Sequence, residues 1–373
     1  MTDFEGQRRL AMNRCAIDDL RDVAQLRRRV AAAAASLRAG GLVAFPTETV
    51  YGLGANAFDD TAVRRIFAAK QRPVDNPLIV HIANRDQLEA CLPVGYHLSP
   101  DERKLMQTFW PGPLTLLLPA GPQIAPAVRP GQELVGVRMP NHPVARALIA
   151  EAGVPVAAPS ANISGRPSPT VADAVAADLE DAIDWLIDAG PSAIGVESTV
   201  LLLEPDCARI LRPGGITQEM IAKTIQRPVL FAADVFDLDA APLSPGMKYR
   251  HYAPNARVHV WWGEEAAIAS AMRAFLEGEG DGADAATTIP ALIAPQDFVS
   301  RFEWHLPPVR MAALPADDYA TNLAHALYDL LRRFDQVGAT DILVYGVDPA
   351  HGISTAVMNR LQKAASGRVR RVE

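Results

Sequence analysis

Apolar side chains change their spacing repeatedly along the chain, and the changes mark out its elements. Residues up to about 38 read as a helix closed by Gly40-Gly41, and 42–45 as a buried strand. Asp59-Asp60 offer N-caps for a helix that runs to Lys70 and carries Val63, Ile66 and Phe67 on one stripe. Ser99-Pro100-Asp101-Glu102 has the capping-box pattern with proline at the first helical position, and predicts a helix toward Trp110. Asn141 and Gly153 bracket another helix, and 170–179 form a further one. Strands are expected at 78–82, 114–118, 135–138, 154–158, 185–188, 199–203 and 209–211. Strands and helices mix throughout this half, so its class is α/β.

From 226 to 255 the pattern weakens, and Pro228, Pro242, Pro245 and Pro254 suggest a linker. A second unit follows. It has strands at 258–262, 291–294 and 342–347, and helices at 264–276, 318–334 and 354–365, with a polar loop at 278–288. That alternation predicts a small doubly wound, Rossmann-like α/β domain. At 373 residues the chain exceeds what one hydrophobic core usually serves. The expected division is therefore 24–225, a linker at 226–255, and 256–373.

Composition narrows the function classes. The formal net charge of −7 argues against a protein that grips nucleic acid through bulk charge. Arg368, Arg370 and Arg371 read as a solvated basic tail. The three cysteines, Cys15, Cys91 and Cys207, lack metal-ligand spacing and suit a reducing compartment. The polar first residues do not resemble a signal peptide, and no apolar run is long enough to span a bilayer. A soluble, cytoplasmic protein is expected, with no membrane partner.

Several polar clusters interrupt the apolar pattern. Gly52-Leu53-Gly54-Ala55-Asn56-Ala57 fits a dinucleotide fingerprint, but no acidic residue ends the next strand, so these glycines read better as tight turns and close backbone approach. Lys70-Gln71-Arg72, followed by Asn76, either complements a helix end or meets a polyphosphate. His81, inside an apolar strand, is either a hydrogen-bonded core residue or a ligand contact. Arg138 closes a buried strand and needs a carboxylate, internal or from a substrate. Pro159-Ser160-Ala161-Asn162, with Ser168 beyond it, can present hydroxyls and N–H groups to phosphates or serve as a turn. Glu197-Ser198-Thr199 and Arg212-Pro213-Gly214-Gly215 are weak signals alone. No Walker, serine-elbow or zinc spacing occurs.

In order, these phrases are similar to those of one family. Phe45-Pro46-Thr47-Glu48-Thr49-Val50-Tyr51-Gly52-Leu53, Lys70-Gln71-Arg72, Pro159-Ser160-Ala161-Asn162 and Arg212-Pro213-Gly214-Gly215 resemble the YrdC-type threonylcarbamoyl-AMP synthases over roughly 24–225. Ser244-Pro245-Gly246-Met247-Lys248-Tyr249-Arg250-His251-Tyr252-Ala253-Pro254 resembles the linker of their long, two-domain form. The resemblance implies a YrdC-like catalytic domain built on a twisted open mixed sheet with a cationic cavity. It implies an enzyme, a nucleotidyltransferase that uses ATP, L-threonine and bicarbonate, with magnesium accompanying ATP, to make an adenylate for a tRNA modification. Thr49, His81, Arg138 and Ser198 would surround threonine, with a backbone contact from Ala158. Arg72, Asn76, Ser160, Ser168 and Arg212 would bind ATP, with Tyr252 or Tyr249 closing over it. Lys70 and Asn162 would stand near the phosphates. No metal ligand is expected from side chains, and tRNA or a tRNA-modifying transferase is an expected partner. An RNA-binding module without catalysis, and carbamoyl transfer from another donor, are the rival readings.

Overall fold

The computed structural model describes residues 12–232, 251–279 and 287–373. Its elements in chain order are β1 (Asn13–Ala16), α1 (Val23–Arg38), β2 (Val43–Phe45), β3 (Gly52–Asn56), α2 (Asp60–Lys70), β4 (Ile79–His81), α3 (Arg85–Cys91), α4 (Pro100–Phe109), β5 (Leu114–Pro119), β6 (Leu134–Arg138), α5 (Pro143–Ala152), β7 (Val156–Ala157), α6 (Ala172–Leu179), β8 (Trp185–Asp188), β9 (Thr199–Leu203), β10 (Ala208–Arg212), α7 (Gln218–Ile225) and β11 (Val229–Phe231). After these come β12 (Arg257–Gly263), α8 (Glu265–Leu276), β13 (Pro290–Pro295), α9 (Gln296–Arg301), β14 (Met311–Leu314), α10 (Tyr319–Gln336), β15 (Asp341–Tyr345), α11 (Ile353–Ala365) and β16 (Val369–Val372).

The first eleven strands form one mixed sheet, ordered β1-β8-β2-β3-β7-β4-β6-β5-β9-β10-β11. Helices cover both faces. Leu26, Val30 and Leu37 of α1 pack with Leu148 and Ile149 of α5 on one face. Val63 and Ile66 of α2, Leu105 of α4 and Val175 of α6 share the core on the other. The last five strands form a second sheet, β14-β13-β15-β12-β16, in which every pair is parallel. Its two faces are covered by α10 with α11 and by α8 with α9, the doubly wound arrangement that the alternation predicts. The two units share apolar surface, because Val50, Val196 and Tyr252 lie in the same core cluster as Leu323, Leu327 and Tyr328 of α10.

Local chemistry explains several boundaries. Ser99 Oγ accepts from the Glu102 N–H while Glu102 Oε2 accepts from the Ser99 N–H, so the capping box at the start of α4 is complete. Asp59 caps α2, and Gln71 closes it in the left-handed region at φ 51°. Gln71 thereby separates Lys70, the last helical residue, from Arg72 in the connection that follows.

Other expectations are corrected. The first stretch is not one helix: Asn13–Ala16 is an edge strand parallel to β8, largely exposed and so without apolar alternation to reveal it. Gly52–Asn56 is a central strand, not a turn. The close backbone approach expected of its glycines is present, since a Cβ on Gly54 would lie 2.7 Å from Val156 Cγ1 and 2.8 Å from Phe45 Cε1. Asn141 does not cap α5; His142 occupies the cap position without a side-chain bond, and Pro143 opens the helix. The basic tail is not free: Val369–Val372 pairs with β12. Val229–Phe231 falls inside the stretch read as linker and pairs with β10 at the edge of the first sheet.

Candidate active site

Strand ends of the first sheet converge on one cleft. Arg138 ends β6 beside His81 at the end of β4, its register partner. Thr49 sits in the β2–β3 connection, and Ala158 and Ser160 follow β7, with Ser160 bridged to Gly52. Ser198 precedes β9, and Arg212 ends the adjacent β10. The cleft is lined by Thr49, Arg72, His81, Arg138, Ala158, Ser160, Ser198, Arg212 and Tyr252, together with Thr47, Glu197 and His251. Residues expected around an amino acid and residues expected around a nucleotide thus face one space.

One side is built around Arg138. Its Nη1 donates to Thr49 Oγ1 at 2.9 Å and its Nε to the Gly112 carbonyl at 3.2 Å. Its Nη2 stands 2.6 Å from Glu48 Oε1, and both side chains are buried. An internal carboxylate therefore balances this guanidinium. Sequence alone assigns Glu48 no role, although it lies between Thr47 and Thr49. Its neighbours Thr47 and Thr49 share a hydroxyl–hydroxyl bond of 2.8 Å. Burial, reinforced by the positive charge of Arg138, pushes His81 down to about 3, so its ring is neutral at ordinary pH.

The other side carries Arg212, whose Nε donates to the Ser198 carbonyl and whose Nη2 donates to Ser198 Oγ, each at 3.1 Å. Arg72 Nη2 donates to the Pro77 carbonyl at 3.0 Å, and its Nε to the Asn76 carbonyl at 3.3 Å. Among the described residues the guanidinium of Arg212 is thus bonded to neutral oxygens, and burial lowers its pKa. A buried cation in that setting gains from an incoming anion.

The remaining expected residues stand behind this lining. Lys70 Nζ donates to the carbonyls of Ser160 and Asn162, so it braces the loop from within. Burial first, and Arg72 next, hold its pKa well below the usual lysine range. Asn162 Nδ2 donates to the carbonyls of Ile163 and Arg166, while its Oδ1 accepts from Ser160 Oγ. Ser168 Oγ donates to Glu197 Oε1 at 2.6 Å. Asn76 is buried, and neither of its amide atoms is hydrogen-bonded among the described residues. Tyr249 lies outside the described residues.

Two residues from the second unit also reach this region, and the sequence reading missed both. Arg360 of α11 donates from Nε to Glu197 Oε2 at 2.7 Å, and Tyr328 of α10 donates its hydroxyl to the same carboxylate at 3.0 Å. Helical spacing marked both helices but gave no sign of partners more than a hundred residues away. Among the described residues, no group of three His, Cys, Asp or Glu side chains is placed to hold a metal ion. No described helix is long and apolar enough to cross a membrane.

Fold and cleft define a two-domain α/β protein that presents arginines and small hydroxyls at the strand ends of a mixed sheet. Residues 35–214 match the Sua5/YciO/YrdC family model, described as telomere recombination. Residues 216–366 match the family model of the threonylcarbamoyl-AMP synthase C-terminal domain. The threonylcarbamoyl-AMP synthase of Bacillus subtilis (strain 168) is 46% identical over 343 residues, covering 91% of this chain and 94% of the relative. That of Pyrococcus abyssi is 42% identical over 353 residues, covering 92% and 96%. A crystal structure of P. abyssi Sua5 complexed with L-threonine superposes with a TM-score of 0.84 at 39% identity, over 98% of this chain and 100% of the other. The chain belongs to the threonylcarbamoyl-AMP synthase family, in its two-domain form, and is an enzyme of nucleotidyltransferase type.

Proposed function

We propose that the cleft joins L-threonine, bicarbonate and ATP into threonylcarbamoyl-adenylate, releasing pyrophosphate, and that the product serves threonylcarbamoyl modification of the adenosine next to a tRNA anticodon. The observation that carries this reading is the meeting of Thr49, His81 and Arg138 with Arg72, Ser160 and Arg212 in one cleft. A relative of known structure binds L-threonine, which supports the amino-acid half.

In this reading Arg138, steadied by Glu48, takes the threonine carboxylate, with Thr49, His81, Ser198 and the Ala158 backbone around the rest of the molecule. Arg72, Asn76, Ser160, Ser168 and Arg212 serve ATP, and Lys70 and Asn162 keep the Ser160 loop in shape. Tyr252, or Tyr249 from the preceding stretch, covers the nucleotide. The amine of threonine adds to the carbon of bicarbonate and water leaves, giving a carbamate. A carbamate oxygen then forms a bond to the α-phosphorus while the bond from that phosphorus to the β-phosphate bridging oxygen breaks. The carbamate is already anionic, so attack needs no further base. Holding it beside the α-phosphate, away from bulk water, supplies proximity and limits its decay. Arg212 and Arg72 offset charge gathering on the departing pyrophosphate.

Magnesium fits this site as the partner of ATP rather than as a resident ion. Among the described residues, the carboxylates of Glu197 in the cleft lining and Glu48 behind it are each engaged by an arginine, which leaves the phosphates as its natural ligands. When bound it adds to the neutralisation of the leaving group. The product would pass in the cytoplasm to a tRNA-modifying transferase or to tRNA.

The test is pyrophosphate release by the purified chain, with mass detection of the adenylate. Release that needs threonine, bicarbonate and ATP together supports the reading. Release with carbamoyl phosphate in place of bicarbonate, or salt-sensitive RNA binding without turnover, would replace it.

A further inference from the structure

The second domain reaches the nucleotide side of the cleft with buried polar side chains, whereas near the amino-acid side it packs against the apolar Val50 and Val196. The polar partners of Arg138 among the described residues, namely Glu48, Thr49 and Gly112, belong to the first domain. Glu197, beside Ser198, is instead the meeting point of both domains. Its Oε1 accepts from Ser168 Oγ at 2.6 Å, and its carboxylate takes the Arg360 Nε at 2.7 Å and the Tyr328 hydroxyl at 3.0 Å. Arg360 is fully buried and also donates through Nη2 to the Pro213 carbonyl at 2.9 Å, next to Arg212. A buried arginine and a buried carboxylate so arranged hold one another in a single geometry, because either left alone would be a costly unpaired charge.

The same two residues grip Tyr252. The Arg360 guanidinium carbon lies 5.3 Å from the centroid of its ring, and the Tyr328 ring stacks on it at 5.4 Å. Tyr252 needs that support, because its backbone is in the left-handed region at φ 63°, which a bulky side chain rarely adopts. A second tie runs in parallel. Arg332 of α10 pairs with Asp178 at 2.8 Å, and Asp178 accepts the Ile163 N–H from the loop that carries Ser160.

We propose that Arg360 and Tyr328 are positioning residues for the nucleotide: through Glu197 and Tyr252 they fix Ser168, Arg212 and the covering aromatic, and so make the second domain an integral part of the ATP site. The proposal rests on the reading above that this side of the cleft takes ATP. It assigns the second domain a task in this chain that its distance from the first-domain motifs conceals.

The experiment compares the unsubstituted full chain with Tyr328→Phe and Arg360→Lys. Tyr328→Phe keeps the stacking ring and loses only the hydroxyl, and Arg360→Lys keeps the charge but loses the forked geometry. Each variant is first checked for a native unfolding transition. ATP binding is titrated without threonine, and threonine binding without ATP, by calorimetry. We expect Arg360→Lys to weaken ATP binding by about tenfold or more and Tyr328→Phe by roughly threefold, with a smaller loss of threonine binding in both, because Ser198 adjoins this network while Arg138 lies outside it. A KM for ATP that rises with little change in kcat would agree. Equal loss of both ligands would mark a merely structural role, and unchanged ATP binding in folded Arg360→Lys would overturn the proposal. Threonine-dependent pyrophosphate release by the unsubstituted chain is read separately. If ATP binds but no release occurs, the functional reading fails, while the binding titrations still decide the positioning role.

Discussion

Glu48 Oε1 stands 2.6 Å from Arg138 Nη2 in a part of the cleft where both side chains are buried. The pair settles what the strand-end arginine does before any ligand arrives. Its charge is balanced internally by Glu48, and its orientation is fixed by hydrogen bonds to Thr49 Oγ1 and the Gly112 carbonyl. A guanidinium has five N–H donors, so donors remain for a substrate carboxylate.

Arg138→Ala should therefore raise the threonine requirement far more than that for ATP. Hydrogen bonds to charged groups are worth about 1.5–3 kcal/mol, or roughly ten- to a hundredfold in apparent affinity. Steady-state pyrophosphate release, titrated with each substrate in turn, measures the difference. Equal rises for threonine and ATP would remove the assigned role.

Buried histidines give this protein an acid limit. Burial, then Arg138, pushes His81 down to about 3; burial, then Arg72, pushes His251 down to about 3. Both titrate near 6.5 in an unfolded chain. Below that pH the unfolded state takes up protons that the folded state refuses, so stability falls with falling pH by about 1.4 kcal/mol per pH unit for each histidine. His142 and His259, also lowered by burial, act in the same direction. Glu197 adds to the loss only lower down. Burial raises it, but Arg360 and Arg212 pull it to about 2, so its contribution is whole above its unfolded value of 4.5 and is lost as pH falls toward 2. Urea unfolding at pH 6.5, 5.5 and 4.5 should show a steady decline that is shallower in His81→Asn. Constant stability across that range would contradict the neutral, buried state of these rings.

The helix that carries the capping box offers a prediction about stability alone. Ser99→Ala removes the acceptor for the Glu102 N–H at the start of α4, a helix that contributes nothing to the cleft lining. The expected cost is about 1 kcal/mol in urea unfolding, with kcat/KM unchanged for the folded protein. A loss of activity without a loss of stability would show that α4 communicates with the site.

Legibility followed the range of the interactions. The capping box of α4, the Asp59 cap of α2 and the doubly wound second domain rest on neighbours in sequence, and they could be read there. The phrases around Thr49, Arg72, Ser160 and Arg212 pointed to one cleft through their joint resemblance to one family, since each alone is equally an ordinary turn, cap or helix end. What stayed hidden depends on pairing across long separations. The β1 edge strand is set by β8, the β16 strand by β12, and Arg360 by Glu197, and none leaves a local period or motif. Glu48 was hidden differently: it stands between Thr47 and Thr49 in a recognisable phrase, but only the fold shows that it faces Arg138.

The two adjacent glycines that follow Arg212-Pro213 should behave very differently. A Cβ on Gly214 would lie 2.3 Å from the Thr199 nitrogen and 2.4 Å from the Glu197 carbonyl oxygen, both main-chain atoms that cannot swing aside. Gly214→Ala must therefore push the turn away from the segment that carries Glu197 and Ser198. That separates Arg212 from Ser198 and Arg360 from the Pro213 carbonyl at once. Overpacking of this kind costs about 1–3 kcal/mol, and the same displacement at the site should lower kcat/KM by roughly tenfold or more. A Cβ on Gly215 would instead meet Pro113 Cγ at 3.0 Å, a side-chain contact that a small shift relieves. Gly215→Ala should lose less than about threefold. Paired unfolding and pyrophosphate-release measurements on the two variants decide the matter, and equal losses in both would mean that the close approach at Gly214 is not what holds Arg212 against Ser198.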